Sequence, residues 1–268
     1  MACPNFNHIQ TSSPLVLAID TSVKSTSIAL GRGETPLAEF DGLISEERSV
    51  SLWDSIATLL QHTGNAVGDI DLYSAATGPG GFTGIRVGVA AIKGLAAARR
   101  KPIAAITSLE LVAHLGRTAG QVCAVMNGYR GEVYWQIFSI DPHVTPAGSG
   151  LPESTDPESM MHRIGPVAAI IVGGDGADEL SDQLRNLLES RKGLDARAQA
   201  PALIKIPGHR RASALIQLAL RKYETGELQS AEDVKACYVR PAEAEIKLAN
   251  GMLGRGMGMG LQRNPSGS

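Results

Sequence analysis

A chain of 268 residues, 43% hydrophobic and 19% charged, has the composition of a folded globular protein with room for one large α/β domain or two lobes. Its formal net charge of -2 excludes a global basic field that would hold nucleic acid by counterion release, so any such contact needs a local patch or a partner. The cysteines Cys3, Cys123 and Cys237 lie far apart and form no CxxC pair, which argues against a cysteine zinc site and suits a reduced, cytoplasmic setting.

In chain order, residues 1–13 read as a disordered extension with no secretory pattern. "LVLAI" (Leu15 to Ile19) is a run suited to a buried strand, and "STSIAL" follows the turn "DTSVK" as the second arm of a hairpin. "RSVSLWDSIATLLQH" carries Val50, Trp53, Ile56, Ala57 and Leu60 at helical spacing, with Gly64 placed to stop the helix. "DLYSAAT" predicts a strand, "GPGGFTGIRVGVAAIKGLAAA" a glycine turn feeding a helix, and "KPIAAIT" another strand. This β-β-α-β-α-β order predicts a mixed sheet covered by helices. The second half restarts in the same way: "QVCAVMN" and "EVYWQIFSI" form a hairpin around "GYRG", and "VAAIIVGG" leads through "DGADE" into the helix "LSDQLRNLLES". "ASALIQLALRKYETG" is the last helix. Two halves that each open on a hairpin predict two related lobes, 14–108 and 109–240, with the late helix packing back on the first. No sequence repeat between them can be aligned. Residues 241–268, rich in Gly, Ser, Asn and Met, read as a flexible tail, and no apolar run reaches membrane-spanning length.

Several residue groups suit chemistry. Asp20 ends a buried strand and is followed by Thr21 and Ser22, so the turn has the amides, hydroxyls and carboxylate of a phosphate and metal-water site. The same residue types equally satisfy a turn through side-chain to backbone bonds. A second glycine turn, Gly173-Gly174-Asp175-Gly176, offers a matching partner for nucleotide. The turn from Gly78 fails as a Walker loop, because no lysine follows at the required place. As a dinucleotide fingerprint it is broken by Thr83 in the third glycine position. Anion capture at the helix N-terminus stays open.

The helix after that turn is more informative. Gly84, Gly88, Ala91 and Gly94 or Leu95 lie at three-to-four spacing, leaving a stripe nearly bare of side chains, flanked by Ile85, Val89 and Ile92 with Arg86 and Lys93 as a polar rim. Such a stripe packs either on the chain's own sheet or on another subunit. The histidines form no HxxxH or HExxH, which argues against a histidine metal site. "GHRRAS" (Gly208 to Ser213) reads as a solvated helix start.

"LAIDTSVKSTSIAL", "ATGPGGFTGIRVGVAAIKGLA", "PIAAITSLE", "GEVY" (Gly131 to Tyr134) and "CYVRP" (Cys237 to Pro241), in that order, resemble the bacterial TsaB family. That family is the dimerisation subunit of the system that makes threonylcarbamoyladenosine in transfer RNA. The resemblance, from about Leu15 to Pro241, implies a two-lobed actin-like, Hsp70-like ATPase fold (the ASKHA fold) that has lost its own catalysis. It implies pairing with the catalytic subunit TsaD, work alongside the ATPase TsaE, indirect contact with tRNA, and a homodimer when TsaD is absent. ATP and metal would belong to those partners, with no cofactor, metal or catalytic residue in this chain and no membrane association. Phe82, Gly84, Ile85, Arg86, Gly88, Val89, Ala91, Ile92 and Lys93, with Trp53 from the preceding helix, would then form the partner interface. Asp20, Thr21, Ser22, Gly173, Gly174 and Asp175 would be a vestigial nucleotide site. An active ATPase or sugar-kinase-like enzyme of the same fold is the alternative. The catalytic paralogue carries a metal-binding NHxEGH where this chain has Ser108 and Val112 at the histidine positions and keeps only Glu110. Further departures stand at Glu46-Glu47-Arg48 and Asn127-Gly128-Tyr129.

Overall fold

The computed structural model describes residues 13–43, 52–141, 144–191 and 200–239. The expected N-terminal extension up to residue 12, the tail from 241 and the departure at Glu46-Glu47-Arg48 lie outside the described residues.

The first half runs β1 (Leu15–Asp20), β2 (Ser25–Arg32), β3 (Thr35–Leu43), α1 (Leu52–Thr63), β4 (Leu72–Ala76), α2 (Phe82–Arg99), β5 (Ile103–Ile106) and α3 (Ser108–Leu115). The second runs β6 (Gly120–Tyr129), β7 (Glu132–Ile140), β8 (Ala147–Thr155), α4 (Pro157–Arg163), β9 (Ala169–Gly173), α5 (Ala177–Arg191), β10 (Ala202–Lys205) and α6 (Arg211–Thr225). Each half is therefore β-β-β-α-β-α-β-α. The sheets have equivalent orders, β3-β2-β1-β4-β5 and β8-β7-β6-β9-β10. In each, an antiparallel meander of three strands continues into two parallel ones. This duplicated mixed sheet is the two-lobed actin-like arrangement.

The central strands are apolar on both faces because helices cover both sides. Leu15, Leu17 and Ile19 of β1 point into a core with α1 and α2. Val16 and Ala18 point the other way, into a core with Leu215, Leu218 and Ala219 of α6. The second sheet is built likewise, with Leu109, Val112 and Ala113 of α3 on one face and α4 and α5 on the other. The last helix of each half thus packs on the sheet of the other half. Glu110 of α3 is paired with Lys222 of α6 at 3.1 Å where the exchanged helices meet. A capping box starts α3: Thr107 Oγ1 accepts from the Glu110 amide, and the Glu110 carboxylate accepts from the Thr107 amide.

The β-β-α opening expected for the first half, and the hairpin expected to run straight into a strand in the second, are both corrected to β-β-β-α. β3 and β8 are edge strands, half exposed, with Pro36 in one and Gly148, Gly150 and Pro152 in the other. Such residues blunt an edge and erase the alternating pattern that announces a strand.

Candidate functional site

The turn after β1 is buried: Asp20, Thr21 and Ser22 are 1%, 3% and 2% exposed. Asp20 Oδ1 accepts from the Ser22 amide at 2.8 Å and the Ser22 hydroxyl at 2.6 Å. Its other oxygen, Oδ2, accepts from Arg211 Nε at 2.6 Å. The Arg211 guanidinium also donates to Ser25 Oγ at 3.1 Å, to the Ser25 carbonyl at 2.6 Å and to the Gly208 carbonyl. The solvated helix start expected at "GHRRAS" is therefore half wrong. Arg210 is solvated, whereas Arg211 is buried and completes the first turn. Nothing local distinguishes two adjacent arginines; only the packing of α6 on the first sheet aims one of them at Asp20.

The glycine turn and the bare stripe seat this same turn. Thr21 Oγ1 donates to the Gly84 carbonyl at 2.7 Å, and the Gly81 amide donates to the Ser22 carbonyl at 2.7 Å. A Cβ on Gly84 would run into the Thr21 carbonyl oxygen, and one on Gly88 into the Thr21 hydroxyl. The stripe is thus turned inward at Gly84, Gly88 and Ala91, with only its Gly94 end exposed, and the assignment of those three to a partner is corrected: Gly84 and Gly88 are small because the first turn lies against them. Ile85, Val89, Ala91 and Ile92 are also removed from the expected interface, being buried in the chain's own core at 1%, 6%, 4% and 0% exposure. Lys93 is tied down, donating to the Val234 carbonyl at 2.7 Å.

Three of the expected interface residues reach the surface. Trp53 is 54% exposed. Arg86 is exposed, with its guanidinium 3.8 Å over the half-buried Phe82 ring and its Nε 3.0 Å from Tyr238 Oη. The outward face of α2 includes Val87, Ala90, Gly94 and Ala97, of which only Gly94 belongs to the predicted stripe. A helix with small and apolar residues on both faces gives little periodic signal to tell inside from outside. α1 lies over β2 and β3 and α2 over β1, β4 and β5, so the two are neighbours on one face of the first sheet.

The second turn meets the first. Asp175 accepts from the Lys24 amide with both carboxylate oxygens, at 3.1 and 3.0 Å, and from Tyr129 Oη at 3.3 Å. Gly174 and Gly176 supply the positive φ values of 85° and 70° that the turn requires. Burial, and next the Asp175 charge, push the Tyr129 hydroxyl above its usual pKa. Beside this joint lies a cavity of about 440 Å³ lined by Lys24, Asn127, Tyr129, Arg130, Asp175 and Glu179, among others. The departure at Asn127-Gly128-Tyr129 is thus local to the lobe junction, where Asn127 Oδ1 accepts from the Tyr129 amide at 2.8 Å.

Ser108 and Val112 are buried at 2% and 4% exposure. Glu110 is committed to Lys222, and burial raises its pKa with Lys222 as the main opposing influence. Among the described residues no three His, Cys, Asp or Glu side chains gather as metal ligands, and no helix is long and apolar enough to cross a membrane.

A family model described as "TsaD: tRNA N6-adenosine threonylcarbamoyltransferase" matches residues 42–143. The chain is 36% identical over 124 residues to the tRNA threonylcarbamoyladenosine biosynthesis protein TsaB of Bacillus subtilis, covering 46% of this chain and 54% of that protein. It is 31% identical over 129 residues to TsaB of Escherichia coli, covering 47% and 55%. The chain thus spans about half the length of these curated relatives. Among solved structures, YeaZ from Pseudomonas aeruginosa superposes with a TM-score of 0.64 at 26% identity, over 84% of this chain and 99% of that one.

Proposed function

We propose, from its similarity to TsaB proteins over about half their length, that this chain is a TsaB-type protein and a non-catalytic subunit in the biosynthesis of threonylcarbamoyladenosine in tRNA. In this reading it pairs with a TsaD-type catalytic subunit. With a TsaE-type ATPase, the pair supports threonylcarbamoyl transfer to the adenosine 3′ of the anticodon, and ATP and metal belong to those partners. The working compartment is the cytoplasm, where that tRNA is found.

The observation that carries the reading is the outer face of α1 and α2. Trp53, Ala57, Val87, Ala90, Gly94 and Ala97 are exposed there. Gly94 decides its meaning. A Cβ at Gly94 would meet nothing within 4 Å, so no contact among the described residues requires a glycine that costs about 1 kcal/mol relative to alanine in a helix. Close approach of a second helix backbone does require it, and small side chains give dense contact at little entropic cost. Trp53 supplies the aromatic anchor such an interface uses.

The test is co-purification of the full chain with TsaD, followed by tRNA modification reconstituted with TsaE. Ala90→Arg is expected to lower affinity for TsaD by about a hundredfold with unchanged circular dichroism. Gln183→Arg, on the exposed face of α5, is expected to change nothing. Equal affinity of the two variants, or full modification without this chain, would overturn the reading.

A further inference from the structure

The actin-like arrangement implies a metal-bound nucleotide between its lobes, and the turn after β1 has the residue types for one. The residues as placed do not fit it. The cation position beside Asp20 is filled by a guanidinium, whose side chain and that of Asp20 are 5% and 1% exposed. Arg211 cannot swing away freely, because its other nitrogens are held by Ser25 Oγ, the Ser25 carbonyl and the Gly208 carbonyl. The Mg²⁺ of a nucleotide site is bound through one or two free carboxylate oxygens together with phosphates and water. Here Asp20 Oδ1 is taken by the amide and hydroxyl of Ser22, and a fixed positive charge is in contact with Oδ2.

Three amides of the phosphate-binding type are engaged as well. An anion-binding turn works through backbone amides pointed at the ligand. The Ser22 amide is engaged by Asp20, and the Lys24 amide by Asp175 reaching across from the other lobe at 3.0 Å. The Gly81 amide, at the start of α2, is engaged by the Ser22 carbonyl. Carboxylates of the chain thus lie on amides that would otherwise face phosphate oxygens.

We propose that the interlobe site of this protein is occupied by the protein itself, with Arg211 in the place of the metal and the Asp20 and Asp175 carboxylates in the place of phosphates. The chain then takes no metal-nucleotide, and the Asp175 contact with the Lys24 amide joins the lobes at these turns without one. The active-enzyme alternative loses its binding site by the same geometry. This inference concerns the two turns and not the outer face of α1 and α2, so it stands or falls separately from the pairing with TsaD.

The test titrates the full chain with Mn²⁺ and ATP, reading bound manganese by electron paramagnetic resonance, beside Arg211→Ser and the double variant Asp20→Asn/Arg211→Ser. The wild type is expected to hold no manganese nucleotide at millimolar ligand. Arg211→Ser is expected to gain manganese binding that rises with ATP, and the double variant to lose it again. Saturable binding of one manganese nucleotide per wild-type chain overturns the proposal, as does a folded Arg211→Ser protein that still takes none. Should Arg211→Ser fail to fold, the wild-type titration decides alone: no binding supports self-occupation, and one equivalent overturns it.

Discussion

α2 and α5 hold equivalent places in the two halves, each following the fourth strand of its sheet, yet their outer surfaces are opposites. α5 presents Asp178, Glu179, Asp182, Gln183, Arg185 and Glu189 to solvent, the polar face of an ordinary amphipathic helix. α2 presents Val87, Ala90, Gly94 and Ala97, with charge at Arg86 and Arg99. The fold needs only the inner face of either helix, so the outer face is free to answer to something outside the chain. A similar contrast separates the two turns. Asp20 is sealed beneath Arg211, whereas the Asp175 contacts lie near solvent. The first half is specialised at both points, and the second keeps a solvated surface.

The sharpest way to break this contrast is to remove one charge from each turn. Arg211→Met leaves Asp20 buried without its cation and is expected to cost about 3–5 kcal/mol. Asp175→Asn weakens solvent-accessible bonds and is expected to cost about 1 kcal/mol or less. Urea denaturation midpoints of both variants, read at equal m-value, check the ordering. Similar losses at the two turns would mean that the first is no more committed than the second.

The larger elements of this division were legible in the sequence, and the decisive contacts were not. β1, β2, β4, α2, β5, the β6–β7 hairpin, α5 and α6 all follow from apolar runs, helical spacing and glycine stops, with small differences at the ends. β3 and β8 were missed because edge strands carry Pro, Gly and exposed polar residues in place of an alternating pattern, and α4 and β10, of seven and four residues, are too short to show a period. The duplication was anticipated from the paired hairpins, but its exactness is a property of strand order, which no residue encodes locally. At the site, the turn residues were identifiable by type, while the Asp20 and Arg211 pairing spans 191 positions and depends on a helix exchanged between halves. The bare stripe on α2 was correctly seen as needing a close neighbour. Which backbone that neighbour belongs to is a matter of helix rotation, and it proved to be the chain's own first turn.

The glycines of α2 sharpen the point, because two on one helix should respond with opposite sign. Gly84→Ala drives a methyl into the Thr21 carbonyl and is expected to destabilise the monomer by about 2 kcal/mol. Gly94→Ala enters open space and is expected to stabilise it by about 1 kcal/mol through helix propensity. Thermal unfolding of the isolated chain checks both signs. A loss of stability in Gly94→Ala would reveal an internal reason for that glycine and remove the argument from the outer face of α2.

The smallest expected effect tests how the halves are joined. α3 and α6, each packed on the other half's sheet, meet through Glu110 with Lys222 and through His114 Nε2 with Gln217 Oε1 at 3.0 Å. Burial lowers the His114 pKa below 6.5; the Gln217 bond opposes this, and the Arg221 and Arg117 charges add to it. The unfolded chain therefore binds more protons than the folded one as pH drops below 6.5, so stability from neutral His114 is fully present above that value. It is lost as pH falls through the folded pKa. Glu110 has the opposite sign. Its pKa is raised from 4.5 chiefly by burial, so its contribution is present below 4.5 and lost as pH rises through its folded value. Unfolding midpoints measured from neutral to mildly acidic pH should decline more steeply in the wild type than in His114→Gln, whose side chain does not titrate. If the joint between α3 and α6 were open in solution, His114 would titrate near its ordinary value and the two curves would run parallel.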